Sequence, residues 1–125
     1  MQQNILIADD ELDIQMLLSL FFERQGYHIV RVRDGHEAIN AALTYSPDLL
    51  LLDVQMPRKT GIEVVQELRA NPRFADTPMI AITAYVRNYP VKDLLHMGFT
   101  NVIFKPFEFS DVQARVAAAL QEVCL

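Results

Sequence analysis

The sequence predicts an α/β fold, a doubly wound five-stranded parallel sheet with helices on both faces. Three observations predict it. Short apolar runs at 4–8, 27–32, 49–53, 79–83 and 101–104 alternate with five stretches of helical spacing, the pattern of a parallel sheet covered on both sides. The third run, four leucines ending in Asp53, is unbroken rather than alternating, so it reads as a strand buried on both faces. The chain has 125 residues, which suits five βα units in one domain over 1–125 and is too short for the eight of a closed barrel.

The elements follow in order. Asn4–Ala8 (NILIA) is strand-like, and Asp9, Asp10 and Glu11 follow at once. A helix is expected from about Leu12 to Gln25, with Ile14, Leu17, Leu18, Phe21 and Phe22 on its apolar face. Met16 and Leu20 are read as completing the core with Phe22, a hidden contact surface being the alternative. Gly26 is the expected left-handed stop. Tyr27 to Val32 is a second strand, and Asp34 with Glu37 has capping-box spacing at the head of a helix through Ala38, Ile39, Ala42 and Leu43. Ser46-Pro47-Asp48 breaks the chain before the central strand. After Pro57, residues 58–61 read as a polar loop, and Ile62, Val64, Val65 and Leu68 resume helical spacing up to Asn71-Pro72. Met79 to Thr83 is a fourth strand. Pro90 suits a helix's first turn but not its interior, so a short helix is expected from about Pro90 to Met97, stopped by Gly98. Asn101 to Phe104 is the fifth strand, and Phe109, Val112, Val116, Leu120 and Val123 mark the last helix.

Composition narrows the function. Just over half the residues are hydrophobic, so a core can be buried. The net charge of −5, from 11 basic and 16 acidic side chains, argues against binding nucleic acid, which calls for a basic patch. One cysteine, Cys124, permits no internal disulfide and fits a reducing, cytoplasmic setting. The N-terminus lacks a secretory pattern and no apolar run is long enough to span a bilayer, so no membrane association is expected. His28, His36 and His96 are scattered without the spacing of a zinc site.

Four strands end in polar residues that their apolar runs did not require: Asp9-Asp10, Asp53, Thr83 and Lys105. In a parallel sheet these ends share one edge, where open α/β sheets place their chemistry. At about 5 Å and an effective dielectric near 20, each carboxylate pair repels by roughly 3 kcal/mol. Lys105 alone does not offset three carboxylates, whereas a divalent cation does. Oxygen ligands with room for water favour Mg²⁺, with Mn²⁺ close behind. A carboxylate beside such an ion, a lysine and a hydroxyl suits phosphoryl chemistry, with Asp53 as nucleophile and a labile acyl phosphate as product.

These residues resemble the receiver domain of two-component response regulators, and the single-domain chemotaxis-type regulators in particular. The resemblance covers essentially the whole chain. It rests on Asp9-Asp10, Asp53 followed by Met56-Pro57 and Gly61, Thr83-Ala84, and Lys105-Pro106-Phe107, in order and at the family's spacing. It implies a flavodoxin-like (βα)5 sheet of order 2-1-3-4-5. It implies that Asp53 accepts a phosphoryl group from a histidine kinase or phosphotransfer protein and passes a signal to a downstream protein. Asp10, Asp53 and the Gln55 carbonyl would bind Mg²⁺, Asp9 would act through a metal-bound water, and Thr83, Ala84 and Lys105 would hold the phosphoryl group. Lys105-Pro106 would be a cis peptide. Such a chain catalyses only its own phosphorylation and dephosphorylation, and is not an enzyme acting on a separate substrate.

Three positions depart from the pattern or tune it. The family usually has Tyr or Phe three residues before the lysine; here that residue is Val102, so the output is expected to be relayed differently, through the loop from Ala84 to Asn88. Thr100-Asn101 stands where many transcription-factor receivers carry two acids that pair in a dimer, so Arg115 is expected to be solvated and that dimer absent. Gln55 and Tyr85 flank the site two residues after Asp53 and Thr83, where the family tunes phosphoryl lifetime. Among rivals, a Mg²⁺-dependent aspartyl phosphatase would carry a second acid where Gln55 stands. A flavin-binding protein would not have an acidic loop after its first strand. A contact-only pseudo-receiver would need a block outside the five site residues. No effector segment is recognised, which leaves a stand-alone regulator, a phosphorelay intermediate and a receiver cut from a longer protein all open.

Overall fold

A computed structural model describes residues 2–84 and 90–124, with side chains through Gln121. Five strands, β1 (Asn4–Ala8), β2 (His28–Val32), β3 (Leu49–Asp53), β4 (Met79–Ala84) and β5 (Asn101–Lys105), form one parallel sheet in the order 2-1-3-4-5. Between and after them run α1 (Leu12–Glu23), α2 (Gly35–Tyr45), α3 (Gly61–Arg69), α4 (Val91–His96) and α5 (Phe109–Cys124), with a 3₁₀ turn at Pro72–Phe74.

Alternation along the strands builds two cores. Ile5, Ile7, Leu49, Leu51, Ile80, Ile82 and Ile103 face α1 and α5, against Leu18, Phe22, Val112 and Val116. Leu6, Ala8, Leu50, Leu52, Met79, Ala81 and Val102 face α2, α3 and α4, against Ala38, Val64, Val65, Leu68 and Leu94. Every residue of β3 is buried, as its unbroken leucines require. Gly26 ends the α1 turn at φ 98°, a left-handed conformation that glycine adopts at no steric cost.

The helix ends follow side-chain chemistry. Asp34 accepts from the Glu37 amide at 2.8 Å, but the Glu37 carboxylate reaches back to the Arg33 amide rather than to Asp34's own, so half of the expected capping box forms. The complete box is at Thr60 and Glu63, inside the stretch read as a plain polar loop.

Two expectations need correction. On α1 the inward side chains include Gln15 and Ser19 as well as Leu18 and Phe22. Met16, Leu17 and Leu20 are about half exposed, together with Leu12. The helix is apolar on more than one face, so helical spacing did not single out the face that meets the sheet. Arg115 is not simply solvated: its Nη1 donates to Asn101 Oδ1 at 2.7 Å and to the Val102 carbonyl at 3.2 Å, and its Nε to Asp111 Oδ1 at 3.1 Å. The side chain lies back over β5, and Asn101 takes the place of an acidic partner.

Candidate functional site

Strand register brings the polar ends together. Ala8 pairs with Leu52, so Asp9 and Asp53, the next residues along, lie side by side. On the other flank Asp53 pairs with Ile82, and Ala84 with Lys105. The loop after β3 turns back sharply, with the Gly61 amide donating to the Val54 carbonyl at 2.9 Å. A Cβ on Gly61 would stand 2.2 Å from the Asp53 carbonyl oxygen, so only glycine permits this approach. The Lys105-Pro106 peptide is cis.

Carboxylate oxygens of Asp9, Asp10 and Asp53 lie within 4.8 Å of one another. Asp9 and Asp53 are buried, whereas Asp10 is exposed at the mouth. Lys105 Nζ sits among acids, 2.8 Å from Glu11 Oε1 and 3.1 Å from both Asp53 Oδ2 and Asp9 Oδ2. The remaining Asp53 oxygen accepts from the Gln55 amide at 3.0 Å, and Asp9 Oδ1 accepts from the Glu11 amide at 2.8 Å. An open cleft of about 240 Å³ lies above, lined by Asp10, Glu11, Asp53, Gln55, Ala84 and Lys105. Thr83 is buried beside it, its hydroxyl donating to the Ala84 carbonyl at 2.9 Å.

The electrostatics are strained in one direction. Burial and then the neighbouring Asp9 charge push the Asp53 pKa from 3.8 up to about 6, against the Gln55 amide and Lys105, which lower it. Burial disfavours the charged form of Lys105, but its hydrogen bond to Glu11 and the charges of Asp53 and Asp9 outweigh that and raise its pKa. Asp9 Oδ2 is buried without hydrogen-bonding geometry to any described group, its approach to Lys105 being a close charge contact. Such an oxygen calls for a further partner. A hard divalent cation, or its bound water, fits both this buried oxygen and the surplus negative charge.

Residues 5–117 match the family model of the response regulator receiver domain. The chain belongs to that family. As a receiver it is 38% identical over 121 residues to the alkaline phosphatase synthesis transcriptional regulatory protein PhoP of Bacillus subtilis, covering 97% of this chain and 50% of that protein. The chain thus spans about half the length of that relative. Its structure resembles the chemotaxis response regulator CheY4 of Vibrio cholerae, with a TM-score of 0.88, 25% identity and coverage of 95% of this chain and 99% of that one. It also resembles the receiver domain of the sensor histidine kinase PA1611 of Pseudomonas aeruginosa, with a TM-score of 0.88, 26% identity and coverage of 97% and 99%; that structure holds a magnesium ion in its active site cleft. The strand order matches the flavodoxin-like arrangement expected of a receiver. None of the described helices is long and apolar enough to cross a membrane.

Of the residues singled out by sequence, Asp9, Asp10, Asp53, Gln55, Ala84 and Lys105 converge at this edge of the receiver. Thr83 is adjacent but turned to its own backbone. Tyr85 and most of the loop expected to relay the output lie outside the described residues. Glu11 is the residue that sequence reasoning passed over. Its signal was its place directly after the acid pair, within reach of any lysine paired with Asp9.

Proposed function

We propose that this receiver takes a phosphoryl group onto Asp53 in a Mg²⁺-dependent reaction, from the phosphohistidine of a kinase or phosphotransfer protein. The observation that carries the reading is the Asp53 carboxylate, buried at the sheet edge with two further acids within 4.8 Å and Lys105 at 3.1 Å. An Asp53 oxygen forms the new bond to phosphorus as the P–N bond breaks. The electron pair leaves with the donor's imidazole nitrogen, which recovers its proton from solvent on release. With a pKa of about 6, Asp53 is still mostly ionised at neutral pH and able to attack. Asp10, Asp53 and the Gln55 carbonyl would hold the ion, with Asp9 acting through bound water; Mn²⁺ would serve similarly. When bound, the ion neutralises phosphoryl oxygens and relieves repulsion among the carboxylates. Lys105 holds a phosphoryl oxygen, the Ala84 amide another, and Thr83 reaches the group once its hydroxyl leaves the Ala84 carbonyl.

Residues 1–125 act as one switching unit that alters a surface for a downstream protein, with no separate substrate. The net charge of −5 supports a domain that does not itself contact nucleic acid, and a single cysteine, which permits no internal disulfide, suits work in the cytoplasm. The apolar stripe Leu12, Met16 and Leu20 begins at the mouth of the cleft and suits docking of the donor protein. The test is intact mass after incubation with acetyl phosphate. A Mg²⁺-dependent phosphoryl adduct is expected on the native protein and not on Asp53→Ala; a folded, Mg²⁺-binding protein that gains no adduct would overturn the reading in favour of a contact-only role.

A further inference from the structure

Gln15 is a buried amide on α1, only 3% exposed, in a position that packs against the sheet. A hydrophobic residue would ordinarily stand there, because burying an amide is tolerable only when it is hydrogen-bonded. Its Nε2 donates to the Val32 carbonyl at 2.7 Å and, more weakly at 3.5 Å, to the Asp9 carbonyl. The same Val32 carbonyl accepts from the Asp9 amide at 3.2 Å. Gln15 therefore ties α1 to the ends of β1 and β2 at the point where Asp9 leaves the sheet. Helix α1 has no side-chain cap at its start, so this tie and the Asp9 carboxylate on the Glu11 amide are what fix its entry. Ser19, one turn further on the same buried face, donates its hydroxyl to the backbone carbonyl of Gln15 at 2.7 Å.

We infer that Gln15 is a positioning residue of the cation site: it pins the backbone of Asp9 from the side opposite the cleft and so sets the spacing of Asp9 and Asp10. The inference rests on the proposed Mg²⁺ site. Asp9 has its amide, its carbonyl and one carboxylate oxygen each hydrogen-bonded, and Oδ2 has only the charge contact with Lys105 at 3.1 Å. Removing the Gln15 donors frees the turn 9–11, and like charges then spread it. Partners that orient metal ligands typically contribute ten- to a hundredfold to affinity, and a partner acting through the backbone contributes less, about three- to tenfold.

The experiment is a Mg²⁺ titration of the full chain, followed by amide NMR shifts, on the native protein, Gln15→Met and Asp10→Ala. Methionine keeps the length and helix preference and removes both donors. Gln15→Met is expected to weaken Mg²⁺ binding about three- to tenfold at temperatures where urea melts show it fully folded. Equal dissociation constants for native and Gln15→Met would overturn the inference. Failure of the native protein to bind, or full binding by Asp10→Ala, would instead overturn the cation site itself. Should Gln15→Met not fold, hydrogen exchange in the native protein decides: saturating Mg²⁺ is expected to slow exchange of the Gln15 side-chain amide at least threefold, and an unchanged rate would refute the coupling.

Discussion

Replacing Asp53 by Asn should stabilise the metal-free protein at pH 7.5, although it removes an ion pair. Burial and the Asp9 charge raise the Asp53 pKa from 3.8 to about 6, so ionising this carboxylate in the fold is unfavourable. At about 1.4 kcal/mol per pH unit, that rise corresponds to roughly 3 kcal/mol. Screening by water at the open mouth, and the poor fit of an amide nitrogen near Lys105 Nζ, reduce the gain to about 1–2 kcal/mol. Asn keeps an oxygen for the Gln55 amide, and Lys105 keeps Asp9 and Glu11. For a chain of this length the gain corresponds to a Tm higher by about 4–8 °C. The pH dependence has a definite sign. Between about 6 and 3.8 the folded native protein holds a proton on Asp53 that the unfolded chain has lost, so this group's contribution to stability falls as pH rises through that window. Asn does not titrate. The advantage of Asp53→Asn should therefore shrink from pH 7.5 to pH 5, and differential scanning calorimetry in EDTA at both values measures it. Added Mg²⁺ should reverse the ranking at pH 7.5 by stabilising the native protein more. A variant that melts no higher than the native protein at pH 7.5, or a gap that does not narrow at pH 5, would refute the reasoning.

Other substitutions probe neighbouring steps. Gly61→Ala should cost about 1–3 kcal/mol in urea unfolding, because its Cβ would meet the Asp53 carbonyl oxygen at 2.2 Å; an unchanged midpoint would contradict the packing. Lys105→Met should slow acetyl-phosphate labelling about a hundredfold by mass spectrometry, the usual scale for losing one charge-stabilising donor, and a native rate would remove Lys105 from the chemistry. Leu20→Ala, at a half-exposed position, should change stability by no more than about 0.5 kcal/mol, whereas Leu18→Ala should cost about 2–5 kcal/mol; similar melts for both would show that the face of α1 is misassigned. Arg115→Ala should cost about 1–2 kcal/mol through its bonds to Asn101 and the Val102 carbonyl, and a neutral result would mean that the side chain is solvated after all.

What was legible in the sequence was what depends on local pattern. Four leucines before Asp53 can only be a strand hidden on both faces, and the polar residue ending each of four strands fixes the reacting edge. The two interior faces were harder to assign where apolar residues were in excess. On α1, Met16, Leu17 and Leu20 looked as eligible for the core as Leu18, yet the buried positions include Gln15 and Ser19. The burial of Gln15 is satisfied by the carbonyls of Val32 and Asp9, which come from other elements and leave no local trace. Arg115 was read as solvated for a similar reason: its partners Asn101 and the Val102 carbonyl lie on β5. The T-x-x-E spacing at Thr60 was present, but lay in a stretch dominated by Arg58, Lys59 and Gly61.

The resting hydrogen bonds show where a phosphoryl group on Asp53 would be felt. Three carboxylates, those of Asp9, Glu11 and Asp53, lie within 3.1 Å of one ammonium, and Asp10 adds a fourth negative charge beside Asp9 and Asp53. Converting the Asp53 carboxylate to an acyl phosphate adds about one further negative charge at the centre. Among the described residues two groups can turn toward it, and both are already engaged: Lys105 with Glu11, and the Thr83 hydroxyl with the Ala84 carbonyl. Each must give up its present partner in proportion as it binds the new one, so the charge biases two local equilibria rather than pushing the fold as a whole. Releasing Glu11 acts on the start of α1, one residue from the exposed stripe Leu12, Met16 and Leu20. Releasing the Ala84 carbonyl acts on the end of β4, where the chain enters residues 85–89. Val102, in the same core cluster as Leu94 and Phe99, has no ring to reorient. A phosphoryl group on Asp53 would therefore act first on the start of α1 and the end of β4, the segments whose hydrogen bonds it would take over.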